Sequence, residues 1–345
     1  MHVAPALPPH WPVRPARNHL WIAAAAAAGL IAASLTACGT SAAGTSRAAV
    51  EKPSLTVAVV PASGAAAVYI AQQDGYFAAA GLHVTIKPVI SSATVIAGLV
   101  NGSVDVTEGQ WTTGLAAAAH GVPLHALAAG NSGGPGLQVL VVPRGSPITS
   151  PAQLRGKTIA VNVIPGLASL MIDDVLAGYQ IKLSQVHLVT VSFPAMATAL
   201  AAHRADAAFM VEPYLSQTYT RPAGHGGGIQ LLTDINQVSD LQGFPDTGYM
   251  VTRAWLAKYP RTAAAFSRAL ARAQRLAATS RPAVEHAMAK GIPTISDQTA
   301  AVLALGGFPL GITAGDLERA GVLMQQYGVL PPSVNVTALA KGMIR

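Results

Sequence analysis

The residues of this chain whose types and spacing could do chemistry lie where short apolar runs give way to Ser, Gly, Asn, Gln or Glu. Leu55 to Val60 is such a run, and Pro61-Ala62-Ser63-Gly64 breaks it. Glycine at a turn of this kind lets backbone approach a bound molecule. Free N–H groups opening the next helix can hold an anion or a carbonyl oxygen. Ser63 and Gly64 are therefore expected to touch a ligand. Ser91-Ser92-Ala93-Thr94 opens the following helical stretch, and Ser91 and Ser92 are expected there on the same grounds. The run Val104 to Thr107 ends at Glu108-Gly109-Gln110-Trp111. Gln110 could hydrogen-bond a solute, and the flat indole of Trp111 could stack on a ring. Asn131 and Ser132 follow the run Leu124 to Ala129. Further on come Asn162, Pro165-Gly166, Ser192-Phe193 and Glu212. Glu212 closes an apolar strand-like run, a place where a solvated acid has no need to be. Tyr249 is a weaker candidate near a second apolar run. None of these loops carries Lys or Arg, so an anion would rest on helix N-termini and N–H groups alone. Glu108 and Glu212 tilt the expectation toward a neutral or amine-bearing heterocycle, such as a pyrimidine vitamin precursor, with a sulfonate next.

Two other chemistries fit less well. Gly130-Asn131-Ser132-Gly133-Gly134 has the spacing of a serine-hydrolase nucleophile elbow, and His225-Gly226-Gly227-Gly228 that of an oxyanion loop. The elbow needs a strand, a sharp turn and then a helix; Pro135 and a further strand follow instead. The oxyanion loop should precede the serine, and it follows. His120 and His125 flank Gly121 and Pro123 and do not share a helical face, so no metal site and no cofactor are expected.

The elements that must position these residues repeat. The order from Leu55 to Gly109 is strand, helix, strand, helix, strand. Helices are expected over Tyr69–Ala80 and about Ser91–Val100, and the third strand over Val104–Thr107. The same order recurs from Lys157 to Val211, with Ala58-Val59 matching Ala160-Val161 and Asp105 matching Asp206. This β-α-β order belongs to mainly parallel sheets, giving an α/β fold of two similar lobes. Leu137–Val142 and Gly248–Thr252 read as strands that leave each lobe, so the chain is expected to cross near Val142 and near Tyr249. Two crossings make a hinge, and a hinge makes a cleft. Residues 54–142 plus 249–345 are assigned to lobe one and 143–248 to lobe two. Beyond Arg253 the pattern is mostly helical, notably Pro260–Thr279 and Thr313–Tyr327. The second opens on a Thr-x-x-Asp box and closes at Gly328.

Of 345 residues, 51 % are hydrophobic and 11 % charged, which excludes a disordered chain. The net charge of +7 is spread thinly, with no Lys/Arg block, so nucleic acid is not an expected partner. Residues 1–37 carry Arg14 and Arg17, then an uncharged stretch from Leu20 to Ala37, the pattern of a signal peptide. Leu35-Thr36-Ala37-Cys38 resembles a bacterial lipobox, and Cys38 is the single cysteine. Lipidation at Cys38 is expected to anchor the exported protein to the outer face of the cytoplasmic membrane. Residues 38–53, rich in Ser, Ala, Gly and Thr, read as the tether.

Several motifs, taken in order, resemble one family. Gly75-Tyr76-Phe77 with Gly81-Leu82, the Asn101-Gly102-Ser103-Val104-Asp105-Val106 turn, and Leu154-Arg155-Gly156-Lys157-Thr158-Ile159-Ala160-Val161 are its first three stretches. Ala205-Asp206-Ala207-Ala208 followed by Val211-Glu212-Pro213-Tyr214 is the fourth, with Val211 where the family has Trp. Over residues 54–330 the chain is similar to the NitT/TauT-type solute-binding proteins, also described as SsuA/THI5-like or NMT1-like. The resemblance implies a type II periplasmic-binding-protein fold, a small-molecule solute, and an ABC permease with its ATPase as partners. A monomer suits a closing cleft. THI5-like pyrimidine synthesis would need a Cys-rich motif that this chain lacks.

Overall fold

The computed structural model describes residues 49–89, 92–219, 228–238 and 243–345. The expected signal segment, Cys38, most of the tether, Ser91 and His225-Gly226-Gly227 lie outside the described residues.

Ten strands build the described fold: β1 (Ser54–Val59), β2 (His83–Pro88), β3 (Val106–Gln110), β4 (Leu124–Ala129), β5 (Gln138–Pro143), β6 (Thr158–Val161), β7 (His187–Thr190), β8 (Ala207–Val211), β9 (Ile229–Asp234) and β10 (Thr247–Thr252). They form two five-stranded sheets, ordered β2-β1-β3-β10-β4 and β7-β6-β8-β5-β9. In the first, β1 runs parallel to β2 and β3, and β10 runs antiparallel between β3 and β4. In the second, β6 runs parallel to β7 and β8, and β5 runs antiparallel between β8 and β9. Each sheet therefore takes its antiparallel strand from chain arriving out of the other lobe. This corrects the expected lobe boundary. Leu137–Val142 does not close lobe one; as β5 it sits inside the second sheet, and the first crossing spans 130–137. An apolar run shows that a strand is buried but not which sheet buries it.

The repeat is visible in the bonding. Leu55 pairs with Val84 and Ile159 with Leu188, the same separation along the chain in both lobes. Asp105 Oδ2 accepts from Thr56 N at 2.9 Å, and Asp206 Oδ2 accepts from Thr158 N at 2.8 Å. Each aspartate fixes the start of its lobe's first strand through an otherwise orphaned N–H.

The first sheet is covered on both faces, as a mainly parallel sheet must be. Val57, Val59, Tyr249 and Val251 pack under the helices Ala66–Gln73, Pro260–Thr279 and Arg281–Gly291. Ala58 and Met250, one residue out of phase, face the helices Trp111–Ala119, Ala314–Gln326 and Val336–Ile344. That is the period-two alternation of a strand. One helix and one strand differ from expectation. Tyr69–Ala80 is two pieces, Ala66–Gln73 and Tyr76–Ala79, because Gly75 turns the chain at φ +69°. The third strand runs on through Glu108 to Gln110, although Glu and Gly are poor strand formers. Tyr249, Gly248 and Thr247 of β10 pair opposite Glu108, Gly109 and Gln110, and that distant partner overrides local propensity. The expected Thr313 box forms: Asp316 N donates to Thr313 Oγ1 at 3.2 Å and Thr313 N to Asp316 Oδ2 at 2.9 Å.

Candidate functional site

Ligands of open α/β sheets bind beyond the carboxyl ends of the strands. Here those ends meet from both lobes around a cavity of ≈ 40 Å³. Lobe one contributes Ser63 and Gly64 after β1, Glu108, Gly109 and Gln110 from the end of β3, Asn131 after β4, and Thr247 of β10. Lobe two contributes Asn162 after β6, Leu167, Phe193, Phe209, Val211 and Glu212. Leu137, at the end of the first crossing, Gln138, which opens β5, and Asp246, at the end of the second crossing, also line it.

On the lobe-one side the polar groups are held by one another. Asn131 Nδ2 donates to Ser63 Oγ at 3.3 Å, and Thr247 Oγ1 donates to Asn131 Oδ1 at 2.8 Å. Gly64 lies against this network. A Cβ there would stand 2.5 Å from Glu108 Oε1 and 2.5 Å from Thr247 Oγ1, so a larger residue would have to displace these side chains. Glycine at this position leaves room for the polar side chains of Glu108, Thr247 and Asn131.

Three carboxyl groups line the cavity. Glu108 is 1 % exposed, and its Oε2 accepts from Val60 N at a long 3.4 Å. Burial pushes its pKa up to about 8, the bond from Thr247 opposes this, and nearby Asp246 adds to it. Asp246 Oδ2 accepts from Gln138 Nε2 at 2.6 Å, and burial pushes Asp246 up to about 7. Asp246 Oδ1 is buried and has no hydrogen-bond partner among the described residues. Glu212 is differently placed. Its Oε1 accepts from Ser216 Oγ at 2.8 Å and from Ala304 N at 3.2 Å, and its Oε2 from Ser216 N at 3.1 Å. Burial still raises its pKa, against those bonds and the charge of Arg281. Glu212 thus faces the cavity while tying lobe two to the segment that carries Ala304. No Lys, Arg or His is among the described residues lining the cavity.

Of the residues singled out in sequence, Ser63, Gly64, Gln110, Asn131, Asn162 and Glu212 converge on the cavity. Trp111 does not. It is fully buried, and a Cβ on Gly248 would fall within its indole ring, so the ring fills the core under β10. Tyr249 also points into the core, against Phe266, with ring centroids 6.1 Å apart. Gly166 opens the helix Leu167–Ala177, where its N–H meets Ser169 Oγ at 3.0 Å, and its neighbour Leu167 is the wall residue. The backbone of Ser92 begins the helix Ser92–Asn101; neither its side chain nor Ser91 is among the described parts. Ser132 is no elbow: its backbone bridges in extended pairing to Pro245 of the second crossing and to Gly307 of the C-terminal segment. The sequence reading missed Gln138, Asp246 and Thr247. The polar break Phe244-Pro245-Asp246-Thr247 before an apolar strand was their available signal.

Two lobes with exchanged antiparallel strands and a cavity at the facing strand ends define a periplasmic-binding-protein fold. The sulfonate-binding protein SsuA from Xanthomonas axonopodis pv. citri, bound to MOPS, superposes with a TM-score of 0.70 at 19 % identity, over 84 % of this chain and 99 % of that one. The nitrate-binding protein NrtA from Synechocystis PCC 6803 gives 0.69 at 17 % identity, over 86 % and 87 %. A Candida albicans gene product with the generic periplasmic binding protein fold gives 0.65 at 18 %, over 85 % and 96 %. No curated protein matches this sequence. The NMT1/THI5 like family model matches residues 63–283, and the chain belongs to that family.

Proposed function

We propose that this protein is an exported solute-binding receptor of an ABC importer, capturing a small organic solute by closure of its two lobes. The observation that carries this reading is the cavity at the facing strand ends, with walls from both lobes and from both crossings. A ligand there touches groups that come together only when the lobes close, and such contacts shift a two-state protein toward its closed form. The solved neighbours that bind a sulfonate buffer or nitrate share the fold. The lipobox at Cys38 fits a receptor that must stay beside its permease and ATPase. A binding role is favoured over a serine-hydrolase one by Ser132, whose backbone pairs in extended form where a nucleophile elbow would turn sharply into a helix.

The test is a melting-temperature screen of the full chain against sulfonates, nitrate, thiamine pyrimidines, flavins and short amines. Ligand that binds only the folded state raises the melting temperature by mass action. A solute that raises it and shrinks the radius of gyration in small-angle scattering supports the receptor. A solute that is consumed chemically would favour an enzyme instead.

A further inference from the structure

We infer that the cleft takes a small organic cation with N–H donors, an amine or amidinium on a flat or apolar body, and that capture expels a proton to solvent. This rests on the cleft being the receptor's solute site.

The charge arrangement comes first. Glu108, Glu212 and Asp246 are 1, 2 and 6 % exposed and all line the cavity, with no cation among its described walls. The groups facing Glu108 from each packed element are neutral or acidic. They are Val60 N, Gly64, the phenols of Tyr69 and Tyr249, Thr247 and Asp246. The charge nearest Glu212, Arg281, is bound to Glu285 at 2.6 Å. An oxyanion placed here would meet three carboxyl groups and no counter-charge, and would hold Glu108 and Asp246 in their neutral forms rather than gain from their ionisation.

A second, independent observation is Asp246 Oδ1. Gln138 occupies only the other oxygen, so a buried acceptor on the cavity wall is left for a donor that the protein does not supply. Buried acceptors without partners are rare and costly, and a ligand N–H is the complementary group. Leu167, Phe193 and Phe209 of lobe two give the cavity an apolar part. Phe193 is braced by stacking on Tyr214 at 5.4 Å and can take the flat face of a ring.

In the empty cleft burial keeps Glu108 largely protonated at neutral pH. A bound cation favours the carboxylate, so the proton leaves as the cation arrives. The balance is one ligand cation bound, one carboxylic acid converted to carboxylate, and one proton released.

The experiment is calorimetric titration of the full chain with benzamidine and with benzenesulfonate, matched in shape and opposite in charge, alongside taurine and nitrate. It is run at pH 6 and pH 8 in two buffers of different ionisation enthalpy. Benzamidine should bind, with up to one proton released. Its affinity should rise as pH rises, by at most about tenfold per unit for one proton. At pH 8, where Asp246 is already largely ionised, Glu108→Gln should remove the proton release, and Asp246→Asn should weaken binding at least about tenfold, the scale of a lost charged hydrogen bond. Thermal melts confirm that both variants fold. Benzenesulfonate, taurine or nitrate binding in place of benzamidine, and lost in Asn131→Ala, overturns the cation class and leaves the receptor standing. Benzamidine binding that ignores both acid variants overturns the site assignment. Absence of binding by probes of either charge overturns both readings.

Discussion

Gln138 Nε2 donates to Asp246 Oδ2 at 2.6 Å; Gln138 opens β5 where the first crossing ends, and Asp246 closes the second crossing just before β10. Asn236 Nδ2 completes the row by donating to Gln138 Oε1 at 2.6 Å. The backbones are joined as well: Gly133 N donates to Phe244 O at 2.9 Å and Asp246 N to Asn131 O at 3.2 Å. Ser132 and Gly307 exchange both of their bonds, at 2.9 and 3.0 Å. The hinge is therefore a short paired ribbon, and one of its side chains, Asp246, reaches the cavity. A ligand that engages Asp246 would act directly on the segment that joins the lobes.

Gln138→Ala should destabilise the fold by about 1–3 kcal/mol, because it leaves buried Asp246 and Asn236 without their shared partner. Urea denaturation measures the loss. A change below about 0.5 kcal/mol would mean that water replaces the glutamine and that the ribbon is not dry.

The buried acids set the response to pH. Glu108 rises from 4.5 to about 8 in the folded protein, and Asp246 from 3.8 to about 7. Folded protein then binds more protons than unfolded chain between those values, so stability falls as pH rises across the window. Below about pH 4 the contribution is complete, and above about pH 8 it is gone. Melting temperatures between pH 5 and pH 8 should decline, and Glu108→Gln should flatten the slope. A wild-type curve already flat there would show that both carboxyls are solvated.

Trp111→Ala should cost about 3–5 kcal/mol, the scale of an emptied aromatic core site. It should leave ligand affinity unchanged under conditions where the variant stays folded, because the indole lies under β10 and not in the cavity. A drop in affinity with an unchanged melting temperature would put the ring back in the site.

Trp111 also shows how far the sequence could be read. Turn residues after apolar runs pointed to Ser63, Gly64, Asn131, Asn162 and Glu212, which the fold gathers at one cavity because a parallel sheet presents the ends of its strands together. The direction of a side chain is another matter. Trp111 follows β3 directly, and whether its ring turns toward the cleft or the core depends on Gly248, more than a hundred residues away, leaving room for it. The same distant strand extends β3 through Glu108-Gly109-Gln110 and brings in Asp246 and Thr247. Long-range pairing leaves no local periodicity, so those residues were not legible in their own neighbourhood. The Asp105 and Asp206 match was legible, since each aspartate serves the strand that begins its own lobe.

Cys38→Ala should release the protein from membranes, if the lipobox reading of Leu35-Thr36-Ala37-Cys38 holds. Fractionation of cells expressing either form measures this. A variant that stays in the membrane fraction would favour the uncharged Leu20–Ala37 stretch as a spanning anchor.

Gly64→Ala separates close approach from mere flexibility. Gly64 has a φ that any residue can adopt, since it is absent from the positive-φ glycines, so an alanine brings no backbone strain. Its Cβ would instead push on Glu108 Oε1 and Thr247 Oγ1, each at 2.5 Å, and Asn131 Oδ1 at 3.0 Å. These are the groups that face the cavity from lobe one. Crowding of this kind costs about 1–3 kcal/mol. The fold is expected to accommodate the methyl by displacing the two flexible side chains, and the cavity to lose its geometry. Solute affinity should therefore fall at least about tenfold while the melting temperature of the empty protein changes by only a few degrees. Equal losses in affinity and stability would make Gly64 a packing residue, and an unchanged affinity would place the solute away from the β1 turn.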